Sequence, residues 1–273
     1  MKNILVNLAA GNDAASTYAI SLAEAFDAYL LGVIFTWVPA IRRSVTHTVA
    51  AGLMEAHRLE SEKAAQAALA RFDAATRRAG VSAGARMSAT TLPGASDLFG
   101  RLARRFDLSI VGQAEPNTVA LEDLIVEAAL FDSGRPVIVV PSIQHGGLKL
   151  DRVLMCWDGS RAAARVFADA MPLIKRAATI EVVMVTSEPP KSDELPGADI
   201  AENLARHGLA VNVKRIGRGG IDVAATILNY ASDAAADLIV MGAYGHSRLR
   251  EFVLGGTTRA MLASMTVPTL MSH

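Results

Sequence analysis

Asp107-Leu108-Ser109-Ile110-Val111-Gly112 and Asp237-Leu238-Ile239-Val240-Met241-Gly242 decide the fold, because they are one phrase written twice, 130 residues apart (237 − 107). Each opens on aspartate, runs through apolar or small residues and stops on glycine, which suits a short strand buried on both faces. A second echo, Arg135-Pro136-Val137-Ile138 against Val267-Pro268-Thr269-Leu270, falls at 132 (268 − 136). The opening strands, Asn3–Leu8 and Arg152–Cys156, stand 149 apart, so the first copy carries about 20 extra residues in its middle (149 − 130). Self-similarity of this kind marks a duplicated architecture.

Working outward, short β-rich runs alternate with Ala-rich segments of helical period, the pattern of a parallel sheet covered by crossover helices. In the first half the strands read as 3–8, 29–35, 83–89, 108–112 and 136–140, and the helices as 14–26, 47–78, 95–105 and 119–130. The second of these helices is long, with Arg58, Glu60, Glu62 and Lys63 on its wet face. Ser142-Ile143-Gln144-His145-Gly146-Gly147-Leu148-Lys149 reads as a linker. The pattern then repeats, with strands at 152–156, 180–186, 211–216, 238–242 and 268–271, and helices at 161–175, 198–207, 222–234 and 257–264. These readings predict two tandem doubly wound α/β domains, residues 1–143 and 150–273, each a five-stranded parallel sheet flanked by helices.

Composition narrows the classes of function. The 273 residues are 51% hydrophobic and 20% charged, enough to bury two cores. Lys plus Arg equals Asp plus Glu, 27 against 27, so no basic excess points to a nucleic-acid backbone or an anionic membrane. The single cysteine, Cys156, excludes an intrachain disulfide framework and any multi-Cys metal site. The opening apolar run stops at Asn7, too short for a signal peptide, and no stretch approaches the ~20 apolar residues of a membrane span. A cytoplasmic protein that engages neither nucleic acid nor membrane is the expectation.

The chemistry-bearing stretch is Gly242-Ala243-Tyr244-Gly245-His246-Ser247-Arg248-Leu249-Arg250-Glu251-Phe252-Val253-Leu254-Gly255-Gly256-Thr257-Thr258-Arg259. It begins where a strand ends, the edge at which open α/β sheets bind ligands. It closes where a helix begins, and a helix amino end offers unpaired N–H groups and positive partial charge to an anion. Glycine lets backbone approach phosphate oxygens, and Thr257 and Thr258 add hydroxyls. His246 reads as a solvated loop histidine. Arg248, Arg250 and Arg259 read equally as steering charges or as a solvated patch, and Cys156 reads as a small hydrophobe. No dinucleotide fingerprint, phosphate-loop lysine motif, nucleophile elbow or kinase set is present.

The spacing Gly242, Gly245, Gly255 followed by small or hydroxyl residues, together with Cys156-Trp157-Asp158-Gly159-Ser160 after strand one, resembles the universal stress protein family. That resemblance implies an adenine nucleotide alpha hydrolase-like fold. It implies a stress-associated protein that binds an adenine nucleotide, ATP or a relative, and acts as a sensor or regulator through its C-terminal domain. Carried residue by residue, it puts Cys156 and Asp158 near the nucleoside and Val185 against the base. Gly242, Gly245, Gly255, Gly256, Thr257 and Thr258 then surround ribose and phosphates, and Mg²⁺ accompanies the phosphates. One departure is Gly256, where the family usually has Ser or Thr; it puts a hydrogen bond of about 0.5–1.5 kcal/mol at stake. The resemblance also implies pairing through the last strands, so 136–140 and 268–271 should lie together. Homodimers of tandem chains and an unidentified protein partner follow from the same resemblance.

The first half keeps the layout without the motif. Ala9 stands where Asp158 stands, Glu115 where Gly245 stands, and Ile125-Val126 where Gly255-Gly256 stand. A carboxylate repels phosphate, and β-branched residues block the backbone. Two alternatives remain beside the sensor: a nucleotide-free scaffold whose halves imitate a dimer, and a slow ATPase. The second needs a group that aligns water with the γ-phosphate. Asp158, beside the nucleoside, is poorly placed for that, so weak hydrolysis at most is expected.

Overall fold

The computed structural model describes residues 1–37, 48–114, 121–186, 197–243 and 256–273. They fall into two compact units, Met1–Arg135 with His145–Gly147, and Pro136–Gln144 with Leu148–His273.

The first unit runs β1 (Asn3–Asn7), α1 (Ala14–Phe26), β2 (Tyr29–Trp37), α2 (Thr48–Ala79), β3 (Ala83–Thr90), α3 (Leu92–Ala103), β4 (Leu108–Gly112) and α4 (Leu121–Phe131). Its strands pair in parallel in the order β3-β2-β1-β4, with Asn7 beside Val33 and Leu5 beside Ser109. The second half of α2 docks through Ala65, Ala68, Phe72 and Thr76, a stripe at helical spacing. Gly32 on β2 makes room for it, since a Cβ there would stand 3.0 Å from the Phe72 ring. Helix α3 starts at Leu92, three residues before the expected Ala95. Thr91 caps it by accepting from the Gly94 amide, and Pro93 sits in the first turn, where its missing N–H costs nothing.

The second unit runs β5 (Val137–Val140), β6 (Arg152–Cys156), α5 (Arg161–Ile174), β7 (Thr179–Thr186), α6 (Ala198–Arg206), β8 (Val211–Gly217), α7 (Val223–Asp233), β9 (Leu238–Gly242), α8 (Gly256–Ser264) and β10 (Thr269–Ser272). Five strands are parallel in the order β10-β9-β6-β7-β8. Strand β5 pairs antiparallel on the other side of β10, with Val139 opposite Thr269 and Val137 opposite Met271. The two proline-led repeats therefore lie side by side, as expected. Leu154, Met155, Ile239 and Val240 are wholly buried, as strands covered by helices on both faces must be.

The aspartate that opens each copy of the repeated phrase does the same work twice. Asp107 Oδ2 accepts from the amides of Lys2 (2.6 Å) and Asn3 (3.0 Å), and Asp237 Oδ2 accepts from the Arg152 amide (2.9 Å). Each carboxylate latches the amino end of the neighbouring strand, satisfying donors the ladder leaves over. Among the described residues, no helix is long and apolar enough to cross a membrane.

Candidate functional site

In the second unit the chain moves outward from β6 to β7 and β8, then returns to lay β9 on the other side of β6. The gap between the carboxyl ends of β6 and β9 is thus the topological switch point, where this kind of sheet binds ligands. Register brings the expected residues to that edge: Cys156 pairs with Met241 on one side and Val183 on the other. Asp158 follows Cys156 by two residues, Val185 follows Val183 by two, and Gly242 follows Met241.

The Asp-Gly-Ser turn builds the entrance to α5. Asp158 Oδ1 accepts from the Ser160 amide (2.9 Å), Gly159 takes a φ of +74°, and Ser160 Oγ accepts from the Ala163 amide (3.1 Å) as the helix cap. Asp158 is nonetheless exposed, with Oδ1 engaged in the turn. Trp157 donates its amide to the Val183 carbonyl (2.9 Å), and its ring meets Phe167 of α5 at 5.2 Å. Burial pushes the Cys156 thiol up to about 12, helped by the Asp158 charge, so it carries no thiolate at neutral pH.

The glycines divide by cause. A Cβ on Gly242 would lie 2.5 Å from the Ala163 nitrogen and 2.6 Å from the Ala162 carbonyl carbon, so the seating of α5 on β9 demands glycine. Gly256 is different: it is exposed, its φ lies outside the left-handed range, and a Cβ there would meet nothing within 4 Å among the described residues. It opens α8 as described, with Thr257 exposed and Thr258 buried. Because α8 crosses between the parallel strands β9 and β10, its amino end lies on the carboxyl side of the sheet. Gly245 and Gly255, with His246, Arg248 and Arg250, fall outside the described residues. Arg259 is exposed on α8. No group of three or more His, Cys, Asp or Glu that could hold a metal ion occurs among the described residues.

The corresponding edge of the first unit is built otherwise. Ile125 and Val126 are buried inside α4, a turn beyond its first described residue, so their amides belong to the helix ladder. The β1–α1 connection is clamped from α2: the Arg71 guanidinium donates to both oxygens of Asp13 (2.8 and 3.1 Å) and to the Ala10 carbonyl (2.9 Å). Glu115 lies outside the described residues.

Asp169, Ser272 and His273, which sequence reasoning passed over, also meet at the second unit's edge. The buried Ala243, directly after β9, donates its amide to the Ser272 carbonyl (2.9 Å). The His273 Nδ1–H donates to the Ala243 carbonyl (3.2 Å), and Ser272 Oγ donates to Asp169 Oδ2 of α5 (2.8 Å), itself ion-paired with Arg165. The signal was in the repeat, where the copies differ at these positions, rather than in any motif.

The family model for the universal stress protein family matches residues 149–273. A curated relative, Universal stress protein Slr1230 of Synechocystis sp., is 30% identical over 140 residues, 50% of this chain and 46% of that protein. The match thus spans about half of that protein's length. Among solved structures, a universal stress protein from Archaeoglobus fulgidus DSM 4304 superposes with a TM-score of 0.71 over 99% of this chain and 95% of its own, at 18% identity. The functionally unknown protein PA1789 from Pseudomonas aeruginosa PAO1 does so with 0.59 over 100% and 92%, at 14% identity. At these identities the structures speak for the fold, which both share along the whole chain. Residues 149–273 are thus a universal stress protein family domain.

Proposed function

We propose that the second unit binds an adenine nucleotide, ATP or a close relative, and that the chain serves as a stress-associated sensor or regulator whose state follows that occupancy. The observation that carries this reading is the switch point between β6 and β9, where register brings Cys156, Asp158, Val185 and Gly242 to the carboxyl edge toward which α8 turns its amino end. The helix amino end at α8 offers unpaired N–H groups to the phosphates, and the exposed Gly256 there leaves them open. The exposed carboxylate of Asp158 suits a ribose hydroxyl, and Val185 at the end of β7 suits the base. Gly242, Gly245, Gly255, Thr257 and Thr258 complete the cradle in this reading. Mg²⁺ would come with the phosphates, because the described residues offer no cage of their own for it. The first unit, with Val126 helical and Arg71 closing its loop, has a structural role.

Gly245→Glu, which copies Glu115 of the first half, tests the site. Calorimetric titration with Mg²⁺-ATP should show affinity falling at least tenfold, because a carboxylate there repels the phosphates. Equal affinity in variant and wild type overturns the assignment. Phosphate release on prolonged incubation distinguishes a slow ATPase from a sensor.

A further inference from the structure

Trp157 takes the rung beyond the last paired residue of β6. Cys156 faces Val183 on β7 and Met241 on β9, and the Trp157 amide donates to the Val183 carbonyl (2.9 Å). The next rung therefore sets Trp157 between Met184 and Gly242, in the middle of the lip at the switch point. Asp158 follows it directly, and Val185 follows Met184 on the neighbouring strand.

In the first copy the same place is held by Leu8 (157 − 149), and Phe167 corresponds to Tyr18 (167 − 149). Leu8 is only 5% exposed, and its Cδ1 closes with the Phe72 ring over Gly32. An aliphatic side chain is thus all that packing asks of this position. The second copy has an indole there instead, and the indole is left half-buried, leaning on the buried ring of Phe167 at 5.2 Å. A large aromatic face that is held from one side and still reaches solvent is more than the fold needs. It is what a planar ligand needs: a rigid surface with few rotamers to lose, against which any base can stack.

We propose that Trp157 is a binding residue for the base. Its ring and the Val185 side chain form the surface on which the adenine lies, so recognition of the base depends on an aromatic residue outside the glycine motif. The contact is to the base alone; it contributes alike to ATP and to adenosine, and nothing to a bare polyphosphate. The inference rests on the nucleotide reading of the same site.

The test titrates the full chain with Mg²⁺-ATP, with adenosine and with inorganic tripolyphosphate. Trp157→Leu installs the residue that the first copy packs, so the folded protein should persist, as a cooperative melt would show. Affinities for ATP and adenosine should both fall about tenfold, with any tripolyphosphate binding unchanged. Trp157→Phe, which keeps a stacking ring, should recover most of the loss; it also serves if the leucine variant does not fold. Unchanged ATP and adenosine affinity in the leucine variant overturns the base contact, as does a phenylalanine variant that binds them no better than leucine. A loss that extends equally to tripolyphosphate overturns it too, since that is the mark of a general disturbance of the edge. Failure of the wild type to bind ATP or adenosine overturns the nucleotide reading itself, and the base contact with it.

Discussion

At the scale of single residues, Gly242 and Gly112 end equivalent strands and answer to different neighbours. A Cβ on Gly242 would press on the backbone of α5, whereas among the described residues one on Gly112 would meet only the Ala15 Cβ at 3.8 Å, an ordinary contact. Gly242→Ala should therefore cost about 1–3 kcal/mol in denaturant unfolding, and Gly112→Ala less than about 0.5 kcal/mol. The identical glycine at the end of each phrase reads as one requirement; the distinction depends on how closely a helix from elsewhere in the chain is seated, which the letters do not record. Cys156 makes a second prediction. Its raised value means that a thiol reagent at pH 8 should label it fully only after denaturation. Its neutral form contributes stability below the ordinary value of 9.0, and that contribution is lost as pH climbs toward about 12.

At the scale of elements, the latch aspartates explain why the repeated phrase begins as it does. Burial works against the Asp107 charge, but the amides of Lys2 and Asn3, with Arg135 nearby, outweigh it and hold the carboxyl below its usual range. A depressed value stabilises the fold above the ordinary 3.8, and this is lost as pH falls through the lowered folded value. Asp107→Asn should lower stability at neutral pH by about 1 kcal/mol and flatten the acid limb of the melting-temperature profile below pH 4. The aspartate was conspicuous in the sequence, but its partners lie more than a hundred residues away, so only the fold discloses its task. Strand and helix periods were legible nearly throughout because parallel strands covered on both faces leave unbroken apolar runs. The start of α3 was not, because Thr91 and Pro93 act through a cap that periodicity does not see.

At the scale of the molecule, duplication was legible from two short echoes, and the candidate site from the copy that kept its glycines. What the letters understated is the attachment of β5, which joins the second unit through β10. A fragment of residues 136–273 should accordingly melt higher than one of 150–273, which leaves the Thr269–Ser272 edge without its antiparallel partner; equal melting would show β5 to be dispensable. The placement of Trp157 between Cys156 and Asp158, its ring tilted 44° on Phe167, has a practical side. The chain has two tryptophans, so replacing Trp37 with phenylalanine leaves a single tryptophan, Trp157, beside the proposed nucleoside pocket. An arriving adenine should quench its emission or shift its colour, which would make occupancy visible by light, without a label, on the timescale of a stopped-flow trace.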